Sequence, residues 1–148
     1  MSDLIGVMAS GRVLQVGPPA DVYERPLTPF VARFLGAANL LDGRSVGSAS
    51  PVVMVRPEHC QLNPVGACRW TWPGKVTSVT FLGADLLAEV ACENGSLLRV
   101  RARATVGARP GGDVVVGASE EHLWPVPNAD PPEVTGAGVA RRSTFPTE

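Results

Sequence analysis

The sequence predicts a mainly β protein: a small barrel of short strands, preceded by a β-hairpin and one or two short helices. Three observations lead there. The chain of 148 residues carries 16 glycines and 14 prolines, a density that favours turns over long helices. From Val52 onward, short β-branched and apolar runs alternate with turn residues. Helical patterning is confined to a few residues between Pro19 and Gly36.

The first element is the hairpin. Leu4–Met8 and Arg12–Val16 are two apolar runs around the glycine-bearing connection Ala9-Ser10-Gly11. A hairpin this apolar is not stable alone in water, so it is expected to pack on the β module or to form a subunit interface. Pro19–Glu24 reads as a single helical turn, stopped before Pro26. The next helix is better marked. Thr28 can cap its free N–H groups, Pro29 suits its first position, and Gly36 suits the residue after its end. Phe30, Val31, Phe34 and Leu35 form one apolar stripe, expected to be core.

Residues 37–51 are small and polar and read as a linker. The β module follows over 52–127, with strands expected at Val52–Arg56, Gly74–Leu82, Asp85–Ala91, Leu97–Ala104, Asp113–Val116 and Glu120–Val126. Pro73-Gly74, Gly83-Ala84-Asp85, Glu93-Asn94-Gly95-Ser96 and Pro110-Gly111-Gly112 separate them, and Asn94-Gly95 signals a tight type I′ hairpin. Five or six such strands suggest an OB-like barrel, the small fold of many oligonucleotide and oligosaccharide binders. Residues 128–148 lose all periodicity and are expected to be a disordered tail.

Composition narrows the function classes. A formal charge of -1, from 13 basic and 14 acidic residues, gives no bulk electrostatic reason to bind nucleic acid or a membrane surface. Cys60, Cys68 and Cys92 are odd in number and lack C-x-x-C spacing, which points to reduced thiols in a cytosolic setting. No apolar run is long enough to cross a membrane as a helix, so no direct membrane insertion is expected.

Chemistry is sparse. His59 and His122 stand in no metal-ligand spacing, and no nucleophile elbow or phosphate-binding loop occurs. The expectation is therefore no catalytic residue, no cofactor and no metal. His59 is a weak general-base candidate, and its neighbour Cys60 points the other way in an extended segment. Arg99, Arg101 and Arg103 alternate along one strand and share a face, which reads as a solvated outer surface before it reads as an anion or nucleic-acid stripe. Lys75, Thr77 and Ser78 could donate to a small oxyanion. Trp70 and Trp72 are expected to cover the barrel's end.

The order of segments adds a resemblance. Met1–Met8, Gly11–Pro19, Val22–Pro26, Phe30–Gly36, Ala38–Leu41, Val55–Glu58, Phe81–Gly83 and Pro110–Asp113 resemble, in order, motifs at the C-terminal end of the ATP-binding subunit of ABC-type importers. The group is the polyamine, iron(III), sulfate and sugar uptake type. Leu4 and Pro18 depart from its pattern, and a hydroxyl residue in place of Pro18 would cap the first helix, a difference of about 1 kcal/mol. The resemblance implies that 1–36 is the end of an ATPase domain and 52–127 an accessory TOBE domain, similar to small molybdate-binding barrels. ATP and magnesium would bind only in a full-length subunit, whose nucleotide motifs precede Met1.

The resemblance further implies a non-catalytic accessory, regulatory and dimerisation role in solute import, polyamines being one candidate solute. A homodimer, permease subunits as partners, and a place in the cytoplasm or on the cytoplasmic face of the inner membrane go with it. The loop Arg56-Pro57-Glu58 is the expected interface. The rival expectations are a free-standing oxyanion-binding barrel and an OB-type nucleic-acid-binding module.

Overall fold

The computed structural model describes residues 3–66, 68–131 and 140–145. The hairpin is formed by β1 (Leu4–Ala9) and β2 (Arg12–Gly17). Its turn, Ser10-Gly11, has positive φ at both positions, 51° and 75°, the geometry whose twist matches the flanking strands. Two short helices follow, α1 (Pro19–Glu24) and α2 (Pro29–Phe34). Thr28 caps α2 as expected, its hydroxyl oxygen accepting from Val31 N–H at 3.2 Å. Pro18, at the corresponding place before α1, makes no side-chain cap. Val7, Val22 and Val31 are fully buried together, with Phe30, Phe34 and Leu35 packed around them. Helices of six residues persist because of this packing, not because of intrinsic propensity.

The β module begins earlier than expected. Within the segment read as a linker, β3 (Asn39–Asp42) pairs antiparallel with β4 (Val52–Val55), and a 3-10 turn spans Gly43–Val46. A second short strand, β5 (Cys60–Leu62), was also not expected. Then come β6 (Trp70–Leu82), β7 (Asp85–Cys92), β8 (Leu97–Arg103) and β9 (Asp113–Ala118). Five strands form one antiparallel sheet in the order β5-β9-β6-β7-β8. The sheet curls until β8 approaches β5, making a nearly closed barrel. Val53, Val55 and Leu41 of the β3–β4 pair share its core with Trp72, Val76, Leu86, Val90, Val100 and Val116.

Three local expectations need correction. Pro73-Gly74 is not a turn but lies inside the 13-residue β6. Pro73 tolerates this because its carbonyl accepts from Glu93 N–H at 2.9 Å on one side, while its missing N–H falls where no ladder bond is needed. At Asn94-Gly95 only Gly95 has positive φ, 90°, and Cys92 N–H reaches Ser96 O at 2.8 Å, closing a three-residue loop. Asn94 accepts from Ser96 N–H through its own side chain at 3.0 Å, which holds it out of the type I′ form. The run Glu120–Val126 is a 3-10 turn (Glu120–His122) followed by the two-residue β10 (Trp124–Pro125), paired with β4.

The tail is ordered in part. Asn128 N–H donates to Leu27 O at 3.0 Å, and Asp130 Oδ1 accepts from Phe30 N–H at 2.7 Å. A final strand, β11 (Ala140–Phe145), runs antiparallel along the free edge of β1. An unpaired strand edge is a template for such pairing, a term that composition alone does not show. The rest of the segment expected to be disordered, 132–139 and 146–148, lies outside the described residues.

Candidate functional site

The site is the joint between the N-terminal segment and the barrel, and Arg56 is its centre. β4 is an apolar strand that Pro57 stops, and Arg56 follows at its end. Only 1% of Arg56 is exposed. Its guanidinium reaches the ends of both helices. Nη2 and Nε donate to Tyr23 O at 2.6 and 3.2 Å, and Nη1 donates to Ala32 O at 2.9 Å, Ala37 O at 3.0 Å and Gly36 O at 3.4 Å. Carbonyls at helix C-termini lack intrahelical donors and carry partial negative charge, so a buried cation there completes them.

The charge is further offset by two neighbours. The Tyr23 ring lies beneath the guanidinium, 3.9 Å from its centroid. Tyr23 OH in turn donates to Glu58 Oε1 at 2.5 Å. Burial, the hydrogen bond to Glu58 and the Glu58 charge push the Tyr23 phenol up to about 12. Burial also lowers the Arg56 pKa, against the opposing pull of Tyr23 and Glu58. Of the loop expected as an interface, Arg56 and Pro57 are buried within the chain and only Glu58 is exposed. A second set of contacts closes the joint's far side: Trp124 Nε1 donates to Pro26 O at 2.8 Å, and Arg33 pairs with Asp130 at 3.3 Å.

The other sequence candidates do not assemble a reaction site. His59 and His122 stack with ring centroids 4.3 Å apart, beside Glu24, Arg25 and Glu121, a meeting across 63 positions of chain with no local signal. Cys60 is buried against the Asn39 carboxamide, and burial raises its thiol to about 12, so it is no nucleophile. Lys75 pairs with Asp113 at 3.2 Å, while Thr77 and Ser78 donate to Glu89, so these three do not converge. Arg99 and Arg101 pair outward with Glu89 and Asp85 on β7, both at 3.2 Å. Trp72 is in the barrel core, not over its end, and Trp70 packs against that core. Among the described residues no group of three His, Cys, Asp or Glu side chains could hold a metal ion.

The fold is thus a small barrel joined to an N-terminal hairpin and two short helices through the buried Arg56. The family model described as TOBE domain matches residues 53–126, and the chain belongs to that family. The chain is similar to an uncharacterized ABC transporter ATP-binding protein of Escherichia coli K12, 33% identical over 85% of this chain and 40% of that one. A sulfate/thiosulfate import ATP-binding protein of Synechococcus elongatus is 33% identical over 66% of this chain and 30% of its own length. A spermidine/putrescine import ATP-binding protein of Mesorhizobium japonicum is 31% identical, with coverages of 76% and 37%. The chain thus spans well under half the length of these relatives. A solved chain of the cytoplasmic molybdate-binding protein ModG aligns with a TM-score of 0.45 at 16% identity, over 55% of this chain and 66% of that one. No helix among the described residues is long and apolar enough to cross a membrane.

Proposed function

We propose that this chain is the accessory, regulatory and dimerisation region of an ATP-binding subunit that drives solute import, polyamines being the candidate solute. It acts by contact. The observation that carries this reading is the Arg56 joint: the helices are bonded to the barrel through five guanidinium contacts, so any load on one is transmitted to the other. Relatives that are import ATP-binding proteins support the transport context. In that context the region pairs with a second copy of itself, and the subunit it serves docks to permease subunits at the cytoplasmic face of the membrane.

Sedimentation velocity of the purified chain, from low micromolar to submillimolar concentration, tests the reading alongside calorimetry with molybdate, sulfate and phosphate. The expected result is a concentration-dependent dimer and no heat of anion binding. A chain that stays monomeric and binds one of these anions with micromolar affinity would instead be an oxyanion-binding barrel.

A further inference from the structure

The long strand β6 outruns its neighbour β9. The β9 ladder lies along Trp70–Lys75 only. One more contact follows: Val76 N–H donates to Gly112 O at 3.0 Å, and Val76 O accepts from Gly111 N–H at 2.7 Å. Past Val76, β6 continues to Leu82 with β7 on one side and, among the described residues, no strand on the other. The bulge between Val76 and Ser78 lies at the start of this stretch, and the pairing from Ser78↔Glu89 to Leu82↔Asp85 is regular.

The ladder fixes which backbone groups face the open side. In an antiparallel pair, residues alternate between bonding to their neighbour and bonding away from it. Arg99 bonds away from β7, because its N–H and C=O meet the Asn39 carboxamide at 2.8 and 2.7 Å. Its β7 partner Glu89 therefore turns toward β6, where it bonds with Ser78. In step with that pair, Thr80 and Leu82 also bond to β7, while Val79 and Phe81 turn their N–H and C=O outward. Among the described residues no hydrogen bond reaches those outward groups. Ser78–Leu82 carries neither charge nor proline, the usual means of keeping an edge from pairing. Val79 packs on the barrel core, and Phe81, on the same face of the strand, is 69% exposed.

We propose that this edge pairs antiparallel with the same edge of a second copy of the chain, about a two-fold axis at Thr80. The stretch is its own complement. The axis sets Thr80 against the partner's Thr80. Val79 then meets the partner's Phe81 and exchanges both main-chain bonds with it, and Phe81 meets the partner's Val79 in the same way. Threonine–threonine and aromatic–β-branched pairs are favoured across strands, and no like charges face each other. A foreign strand finds main-chain bonds here but no charge to select it, whereas a second copy brings these favoured pairs twice over. Pairing here supplies the surface for the dimerisation proposed above and rests on that reading.

The test is sedimentation velocity of the full chain, its Thr80→Lys and Thr80→Glu variants, and an equimolar mixture of the two variants. Thr80 is exposed, so both changes are expected to leave the urea midpoint of the fold unchanged. Each variant alone sets like charges face to face at the axis and is expected to weaken the dimer at least about tenfold. The mixture sets opposite charges there and is expected to restore the affinity of the parent. Amide exchange at Val79 and Phe81 of the parent should slow as concentration rises. If both variants dimerise as tightly as the parent, the pairing is overturned while dimerisation stands, at another surface. A mixture no tighter than either variant alone also overturns the pairing. A parent that stays monomeric at submillimolar concentration overturns both the pairing and the dimerisation reading. If such a monomer gains protection at Val79 and Phe81 only from an added peptide of alternating valine and threonine, the edge serves a foreign strand and the second copy is excluded.

Discussion

The side chain of Asn39 does the work of a strand. Its Nδ2 donates to Arg99 O at 2.7 Å and its Oδ1 accepts from Arg99 N–H at 2.8 Å, so one carboxamide makes the paired bonds that a neighbouring backbone would make. Only 3% of Asn39 is exposed, and its strand β3 is tied by this contact to an edge of the barrel to which no ladder joins it. Asn39→Ala leaves a backbone donor and acceptor without their partner and is expected to cost about 2 kcal/mol, read from urea denaturation. A loss within a few tenths of that of an exposed alanine variant would contradict the role.

Arg56 should tolerate nothing else. Removing it strands the helix-end carbonyls that it completes. Arg56→Ala is expected to destabilise the chain by about 3 kcal/mol, and Arg56→Lys to recover only part of that, because an ammonium cannot reach the same fork of acceptors. Limited proteolysis supplies a second readout: cleavage within 4–36 should accelerate in Arg56→Ala before cleavage within the barrel does.

Alkali should weaken the fold through two acids, the half-buried Tyr23 and the buried Cys60. Tyr23 and Cys60 each hold their proton more tightly when folded, both to about 12, against ordinary values of 10.0 and 9.0. Where the folded state binds more protons than the unfolded one, stability falls as pH rises. The contribution is complete below about pH 9 and is lost progressively up to about 12, the window of these two shifts. Denaturation midpoints of Tyr23→Phe and Cys60→Ala, each compared with the parent across this range, should show a shallower alkaline decline.

Thiol reactivity should separate the cysteines. Cys60 and Cys92 are buried, and burial raises both thiols, whereas Cys68 is only half-buried. A native-state thiol assay is expected to label Cys68 first and the other two only on unfolding.

Gly43 sits where no side chain fits. A Cβ built there lies 1.7 Å from the Ser50 carbonyl oxygen, and Gly43 N–H donates to Pro51 O at 2.9 Å, so the backbone cannot move aside freely. Gly43→Ala is expected to cost about 2–3 kcal/mol by thermal or urea melting.

What could be read in the sequence was what local chemistry dictates. Thr28-Pro29 announces α2, Ser10-Gly11 announces the hairpin turn, and the β-branched runs announce β4, β7, β8 and β9. The elements that escaped depend on distant partners. β3 is four residues long and β5 three, and each exists because another strand lies beside it. Arg56 was expected on an interface loop and is instead buried within the chain. An arginine after a strand is rarely buried, and only the arrival of two helix ends from 19 to 33 residues upstream makes burial tolerable. The His59–His122 stack joins residues 63 positions apart, a meeting that no spacing in the chain signals.

Hydrogen–deuterium exchange of the chain reads the joint most directly. The account predicts that amides of α1 and α2 exchange as slowly as those of β4 and that all three lose protection together in Arg56→Ala. Rapid exchange of the helices beside a protected barrel in the parent chain would contradict it.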